Sequence, residues 1–137
     1  MIIRRYDNLY IIKIVKETIN NFDYFNQEEI SKLFHNIIMK LKKRYQINGL
    51  LDINVYTNEE YGMIIEIEEV ESYYDEIDMH IHFHLDTIFL QEINEIKDSL
   101  QDVYFYKDKY YTRYNQLLDS NIIYKTEEIL TKGIKIA

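Results

Sequence analysis

An α+β fold with mostly antiparallel sheet follows from three features of the sequence. Residues 27–45 repeat their apolar side chains at the three- and four-residue spacing of a helix, and several other segments alternate with a period of two. The 137-residue chain has three glycines and no proline, so the turns between these segments fall to Asn and Asp. The expected architecture is one long amphipathic helix and a shorter C-terminal helix packed on the sheet, in two tightly joined α/β modules.

The first element is "IIRRYDNLYIIKIV". Its apolar and β-branched residues on either side of Asp7-Asn8 predict a hairpin whose second strand covers Leu9–Val15. Asn26 then stands before Gln-Glu-Glu, where its side chain can cap a helix and Glu29, three residues on, can reach back as in a capping box. Ile30, Leu33, Phe34, Ile37, Ile38 and Leu41 follow on one helical face. Asn48-Gly49 closes the helix, glycine suiting the left-handed residue beyond a helical end. The basic run "KLKKR" falls in the last turns, where cations complement the negative end of the helix dipole.

"LLDINVYT" and "MIIEIEEV" flank residues 58–62 and predict a hairpin with a longer loop. Leu51, Ile53 and Val55 share one side of its first strand, and Ile65 and Ile67 share one side of its second. After the acidic turn "ESYYDE", Met79, Ile81, Phe83 and Leu85 alternate with His80, His82, His84 and Asp86, the pattern of a long half-buried strand. "IFLQEINEIKDSL" reads two ways, because Ile93, Ile96 and Leu100 fit a helical stripe while its start also prolongs the strand. "VYFYKDKYYTRY" predicts a hairpin turning at Lys107-Asp108, and "DSNIIYKTEEILTKG" a capped helix closed by Gly133 before "IKIA". The sum is a single compact unit over residues 1–137, with modules 1–70 and 77–137 joined by the acidic segment.

Composition bounds the function. Hydrophobic residues make up 47% and charged residues 29%, as in ordinary globular proteins. No apolar run approaches the roughly 20 residues needed to span a bilayer, so no membrane association is expected. The N-terminal "MIIRRYDNLY" lacks the order of a secretory signal and there is no cysteine, which together predict a cytoplasmic location. Heavy use of Ile, Asn, Lys and Tyr fits the AT-rich genome of a low-GC bacterium, so the 14 tyrosines carry little weight by number alone. Residues 1–48 hold nine Lys or Arg and five Asp or Glu, net +4; the remaining 89 residues hold 7 − 19 = −12, giving the overall −8. An acidic surface of this extent repels a phosphate backbone, and nucleic acid is not an expected partner.

The candidate chemistry is concentrated in two places. In "DMHIHFHLD" the imidazoles of His80, His82 and His84 share one face of a strand at Cα spacings of about 6.6 Å, close enough to hold a zinc-like cation, with His35 the one further histidine able to complete an all-histidine set. The competing reading is the polar outer face that any half-buried strand requires, and it fits the period-two pattern without further assumptions. In the hairpin 103–114, Tyr104, Tyr106, Tyr110, Tyr111 and Tyr114 offer the large, amphipathic contact area common at interface hot spots, against the alternative of cross-strand packing. No cysteine, serine elbow, glycine-rich phosphate loop or dinucleotide fingerprint is present, so neither catalysis nor a cofactor is expected.

In the order of its elements the chain resembles the MecA family of bacterial adaptors, which carry substrates and regulators to a Clp ATPase. The resemblance lies in "EEISKLFHNIIMKL" followed by "NGLLDINVYTNEEYGMIIEIEE", then "FHLDTIFLQEI", "VYFYKDKYYTRY" and "EEILTKGIKIA". The family's long polar linker is missing, and the helix expected after the tyrosine hairpin is shortened. What the resemblance implies is a non-catalytic protein-binding adaptor or regulator, with Tyr110 and Tyr111 as candidate contact residues. Two other functions are compatible with the sequence: a small acidic inhibitor or immunity-type protein that blocks a basic site, and a metal-binding protein using the histidine strand.

Overall fold

The computed structural model describes residues 2–19, 22–23, 26–47, 49–71, 77–96, 102–113 and 122–136. Its first sheet is built from β1 (Ile2–Tyr6), β2 (Leu9–Val15), β3 (Gly49–Asn58), β4 (Gly62–Glu71) and β5 (Ile77–His84), in the order β1-β2-β4-β3-β5. A 3-10 turn, Lys16–Thr18, and the helix α1, Gln27–Tyr45, separate β2 from β3. Neighbours are antiparallel except β3 and β5, which run parallel. The antiparallel β3–β4 hairpin brings the chain back to the end of the sheet where β3 starts. A strand that begins there and lies on the free side of β3 must run alongside it in the same direction.

α1 forms where its apolar spacing places it. Asn26 caps it by accepting hydrogen bonds from the amides of Glu28 and Glu29, at 3.0 and 3.3 Å. The capping box differs from expectation: Glu29 Oε2 accepts from the Asp23 amide at 2.6 Å. The helix also closes earlier than Gly49, at Gln46, which takes the left-handed conformation with φ 55°. Gly49 has the expected positive φ, 81°, but it opens β3 and does not close the helix.

The face of α1 bearing Phe34, Ile37, Ile38 and Leu41 packs on Tyr10, Ile12, Ile14, Leu51, Ile53, Val55, Met63, Ile65 and Ile67, the inward residues of β2, β3 and β4. Period-two alternation thus delivers three strands to one core. Gly62 is required where β4 leaves the β3 turn: its φ is 124°, and a Cβ there would lie 2.2 Å from the Ile14 carbonyl oxygen. On β5 the histidine alternation ends before its sequence pattern does. The amides of Asp86 and Thr87 donate to the Thr57 hydroxyl and carbonyl, at 3.2 and 2.7 Å, turning the chain over the end of β3 and leaving Leu85 exposed.

The second sheet comprises β6 (Leu90–Ile93), β7 (Val103–Tyr106), β8 (Lys109–Arg113), β9 (Ile122–Ile123) and β10 (Ile134–Lys135), all antiparallel in the order β10-β7-β8-β6-β9. β6 resolves the ambiguous segment in favour of strand over Leu90–Ile93; residues 97–101 lie outside the described residues. Lys107 and Asp108 turn the β7–β8 hairpin with φ 47° and 62°, both left-handed as a two-residue hairpin turn needs. The C-terminal helix α2 is only Glu127–Lys132. Ile122 and Ile123 pair with β6 instead of joining it, and the Thr126 hydroxyl donates to the Ile88 carbonyl at 2.7 Å instead of capping. The module boundary also moves: β5 belongs to the first sheet, so the division falls after His84.

The two sheets meet through Phe89 and Ile122, which pack with Ile64 and, around them, Ile11, Val15, Tyr56 and Tyr124. Ile64 sits on the face of the first sheet opposite α1, so β4 is covered on both sides from Met63 to Ile67. Among the described residues no helix is long and apolar enough to cross a membrane.

Two outcomes test this core. Phe34→Ala is expected to cost about 3 to 5 kcal/mol, because the ring is fully buried and α1 cannot collapse onto three strands at once; urea unfolding measures it. Tyr10 donates to Glu69 Oε1 at 2.7 Å, and burial followed by this carboxylate pushes its hydroxyl up to about 12 from 10.0. Folding thus favours the protonated hydroxyl, a contribution intact below pH 10 and lost as pH climbs toward about 12. Stability is expected to fall across that interval by an amount on the order of 2 kcal/mol that Tyr10→Phe removes.

Candidate functional site

The outer face of the first sheet, away from α1, carries Asp52, Asn54 and Tyr56 on β3 beside His80, His82 and His84 on β5, in direct register. Side-chain contacts run diagonally across this pairing. His82 Nε2 lies 3.4 Å from Asp52 Oδ1, and His84 Nε2 lies 3.0 Å from Asn54 Oδ1. The His84 ring also stacks on Tyr56, with centroids 4.5 Å apart and planes within 9°. His80 Nε2 stays within its own strand, 3.4 Å from Asp78 Oδ2.

The three imidazoles share a face, as their spacing requires, yet each is directed to a different oxygen. Among the described residues no three His, Cys, Asp or Glu side chains gather as a metal would need. His35 cannot join them, because α1 packs on the opposite face. The signal missing from the sequence was β3: its own alternation of Asp52, Asn54 and Tyr56 was visible, but not that it would lie beside the histidines.

The tyrosine hairpin divides by parity. Tyr104 and Tyr111 face each other across β7 and β8, on the side where Leu90 and the α2 residues Ile129 and Leu130 pack. Tyr111 is 9% exposed and is a core residue, which corrects its expected place on a contact surface. The Tyr106 hydroxyl donates to Glu128 of α2, and that bond raises its pKa above the ordinary tyrosine value. Tyr110 points to the other side. There it stands in a cross-strand row, Ile134–Phe105–Tyr110–Ile93, that spans β10, β7, β8 and β6. The Phe105 and Tyr110 rings are 5.0 Å apart; Ile134 is 63% exposed, while Ile93, Phe105 and Tyr110 are half-buried on a face that also carries the buried Val103 and Thr112. Tyr114 lies outside the described residues.

Where the sheets join, Glu66 is nearly buried and accepts from the Tyr124 hydroxyl at 2.8 Å while pairing with Lys125 Nζ at 2.9 Å. Burial, and then the Glu66 carboxylate, drive the Tyr124 hydroxyl far above its usual range, and the bond to Glu66 raises Lys125. Beside this group lies a cleft of about 750 Å³ lined by Tyr56, His84, Asp86, Lys125 and Leu130. Its threonine hydroxyls are committed to main-chain carbonyls: Thr87 to His84, Thr126 to Ile88 and Thr131 to Glu127.

Because each imidazole has its own oxygen partner, added zinc or nickel is expected to leave the melting temperature unchanged. A metal-dependent rise in Tm that His82→Ala abolishes would instead establish a site, since a ligand held only by the native state stabilises it by mass action.

No family model, curated protein or solved structure matches this chain.

Proposed function

We propose that this chain is a non-catalytic protein-binding adaptor or regulator, and that it docks its partner on the Ile134–Phe105–Tyr110–Ile93 row of the second sheet. The observation that carries the reading is the row itself. Four apolar or aromatic side chains line up across four strands on the face opposite α2; Ile93, Phe105 and Tyr110 are half-buried, and Ile134 at the end is among the most exposed hydrophobic residues of the fold. Aromatic pairs of this kind contribute large contact area with few rotatable bonds, which concentrates binding energy.

The resemblance to MecA-type adaptors supplies the partner class to examine first, a Clp ATPase. The acidic-inhibitor reading rests on the net −12 of residues 49–137, and two of those carboxylates are occupied within the fold: Glu66 by Lys125 and Tyr124, and Glu69 by Tyr10. Residues 72–76, in the acidic turn, lie outside the described residues.

Calorimetric titration of the purified chain into a Clp ATPase tests the proposal. Tyr110→Ala should weaken binding by roughly 1 to 2 kcal/mol while the melting temperature holds. Tyr111→Ala, at the buried face of the same hairpin, should lower the melting temperature first. A Clp ATPase that does not bind removes the adaptor reading; binding that survives Tyr110→Ala and Phe105→Ala removes this surface from it.

A further inference from the structure

β5 closes one end of the first sheet, and among the described strands nothing pairs with its outer edge. The two ends of the sheet are treated differently. β1, at the other end, carries Arg4 and Arg5, charges of the kind that deter strand addition. β5 has no lysine or arginine, and no register shift interrupts its pairing with β3. Its inward side chains are also incompletely covered. Leu51, Ile53 and Val55 of β3 are 0% exposed, whereas Met79 is 39% exposed and Ile81 and Phe83 are half-buried. The apolar layer therefore ends one strand short of closure.

We infer that β5 pairs antiparallel with the β5 of a second copy of this chain, across a two-fold axis at Ile81. Antiparallel partners must project to the same side of a sheet, which restricts the registers to those matching odd residues with odd and even with even. The register centred on Ile81 sets Met79 against Phe83 of the second copy and Ile81 against its own counterpart, completing the apolar layer. On the other face it sets Asp78, which also contacts His80 of its own strand at 3.4 Å, against His84, and His80 against His82. His84 is the histidine of the strand whose contact is an amide, Asn54, while His80 and His82 already contact carboxylates. A two-fold interface must be self-complementary, and this strand supplies both halves of each pair. Two five-stranded sheets become one ten-stranded sheet. The contact is narrow, so the dimer belongs among weak, concentration-dependent assemblies.

Sedimentation equilibrium of the full chain, from micromolar to millimolar concentration, tests the pairing. The expected result is a shift from 16.8 kDa toward twice that mass. Met79→Lys places a charge in the joined apolar layer at a side chain already part-exposed, and should leave the melting curve unchanged while abolishing the shift. Asp78→Lys and His84→Glu should each weaken self-association by roughly tenfold or more, since each sets like charges or unmatched groups across the axis. Mixed in equal amounts, these two variants should regain the dimer. The lysine introduced in one then meets the glutamate introduced in the other, and the remaining pair is the native one of His84 with Asp78. A wild-type chain that stays monomeric at millimolar concentration overturns the proposal, as does a dimer that all three variants leave intact. A mixture no more associated than its components rejects this register and the proposal with it.

Discussion

Glu66 is the constraint on which the rest of the arrangement turns. It lies in the middle of β4, whose residues from Met63 to Ile67 are buried because α1 covers one face and the second sheet covers the other. A carboxylate in such a place is costly unless a cation and hydrogen-bond donors reach it. Both arrive from one dipeptide, Tyr124-Lys125, which follows β9. Docking of the second sheet is thereby tied to a definite position. Apolar contact among Ile64, Phe89 and Ile122 could be satisfied by sliding, but the bonds to Glu66 could not. The diagonal contacts of Thr57 with Asp86 and Thr87 fix the same junction from the β3 side.

The parts of the fold legible in the sequence are those set by near neighbours. α1 was readable because its cap, its apolar face and its cationic last turn all agree, and agreement across levels marks a strongly specified element. The three hairpins were readable from alternation interrupted by Asp, Asn or Gly. What the sequence did not reveal depends on distant partners. The place of β5 beside β3 rests on a parallel pairing that no local pattern encodes, and it shifted the module boundary to the far side of His84. Residues 122–123 fall in "DSNIIYKTEEILTKG", expected as a capped helix closed by Gly133; β6 captured them instead, and the Thr126 hydroxyl bonded to Ile88. The helix closed at Gln46, a non-glycine residue in the left-handed conformation that such a residue tolerates at a modest steric cost, while Gly49, whose φ of 81° is positive as expected, opens β3.

The candidate surfaces show the same division. That Tyr110 and Tyr111 would face opposite ways follows from strand geometry alone. Which of them would be covered was decided by α2, whose Ile129 and Leu130 settle on the Tyr111 side, and by Glu128, which holds the Tyr106 hydroxyl there. Likewise the shared face of the three histidines was dictated by period two, while the directions of the His82 and His84 rings were decided by β3, which offered an aspartate, an amide and a tyrosine at successive outward positions, and His80 turned to Asp78 of its own strand.

The two surfaces proposed for binding stand on different sheets, and this has a consequence for function. α1 occupies the inner face of the first sheet and the second sheet occupies part of its outer face, so a new strand can extend the first sheet only at an edge. The β5 edge is the one without arginines. Association there engages Met79, Ile81 and Phe83 and leaves the Ile134–Phe105–Tyr110–Ile93 row of each copy untouched. A β5-linked pair would present that row twice, and two weak contacts on one assembly bind a multivalent target more tightly than either does alone when the geometry lets both engage. Self-association that is weak in solution would then be enforced on the target, where a second copy is already close. The two surfaces would be coupled by proximity alone, with no change of conformation required in either sheet.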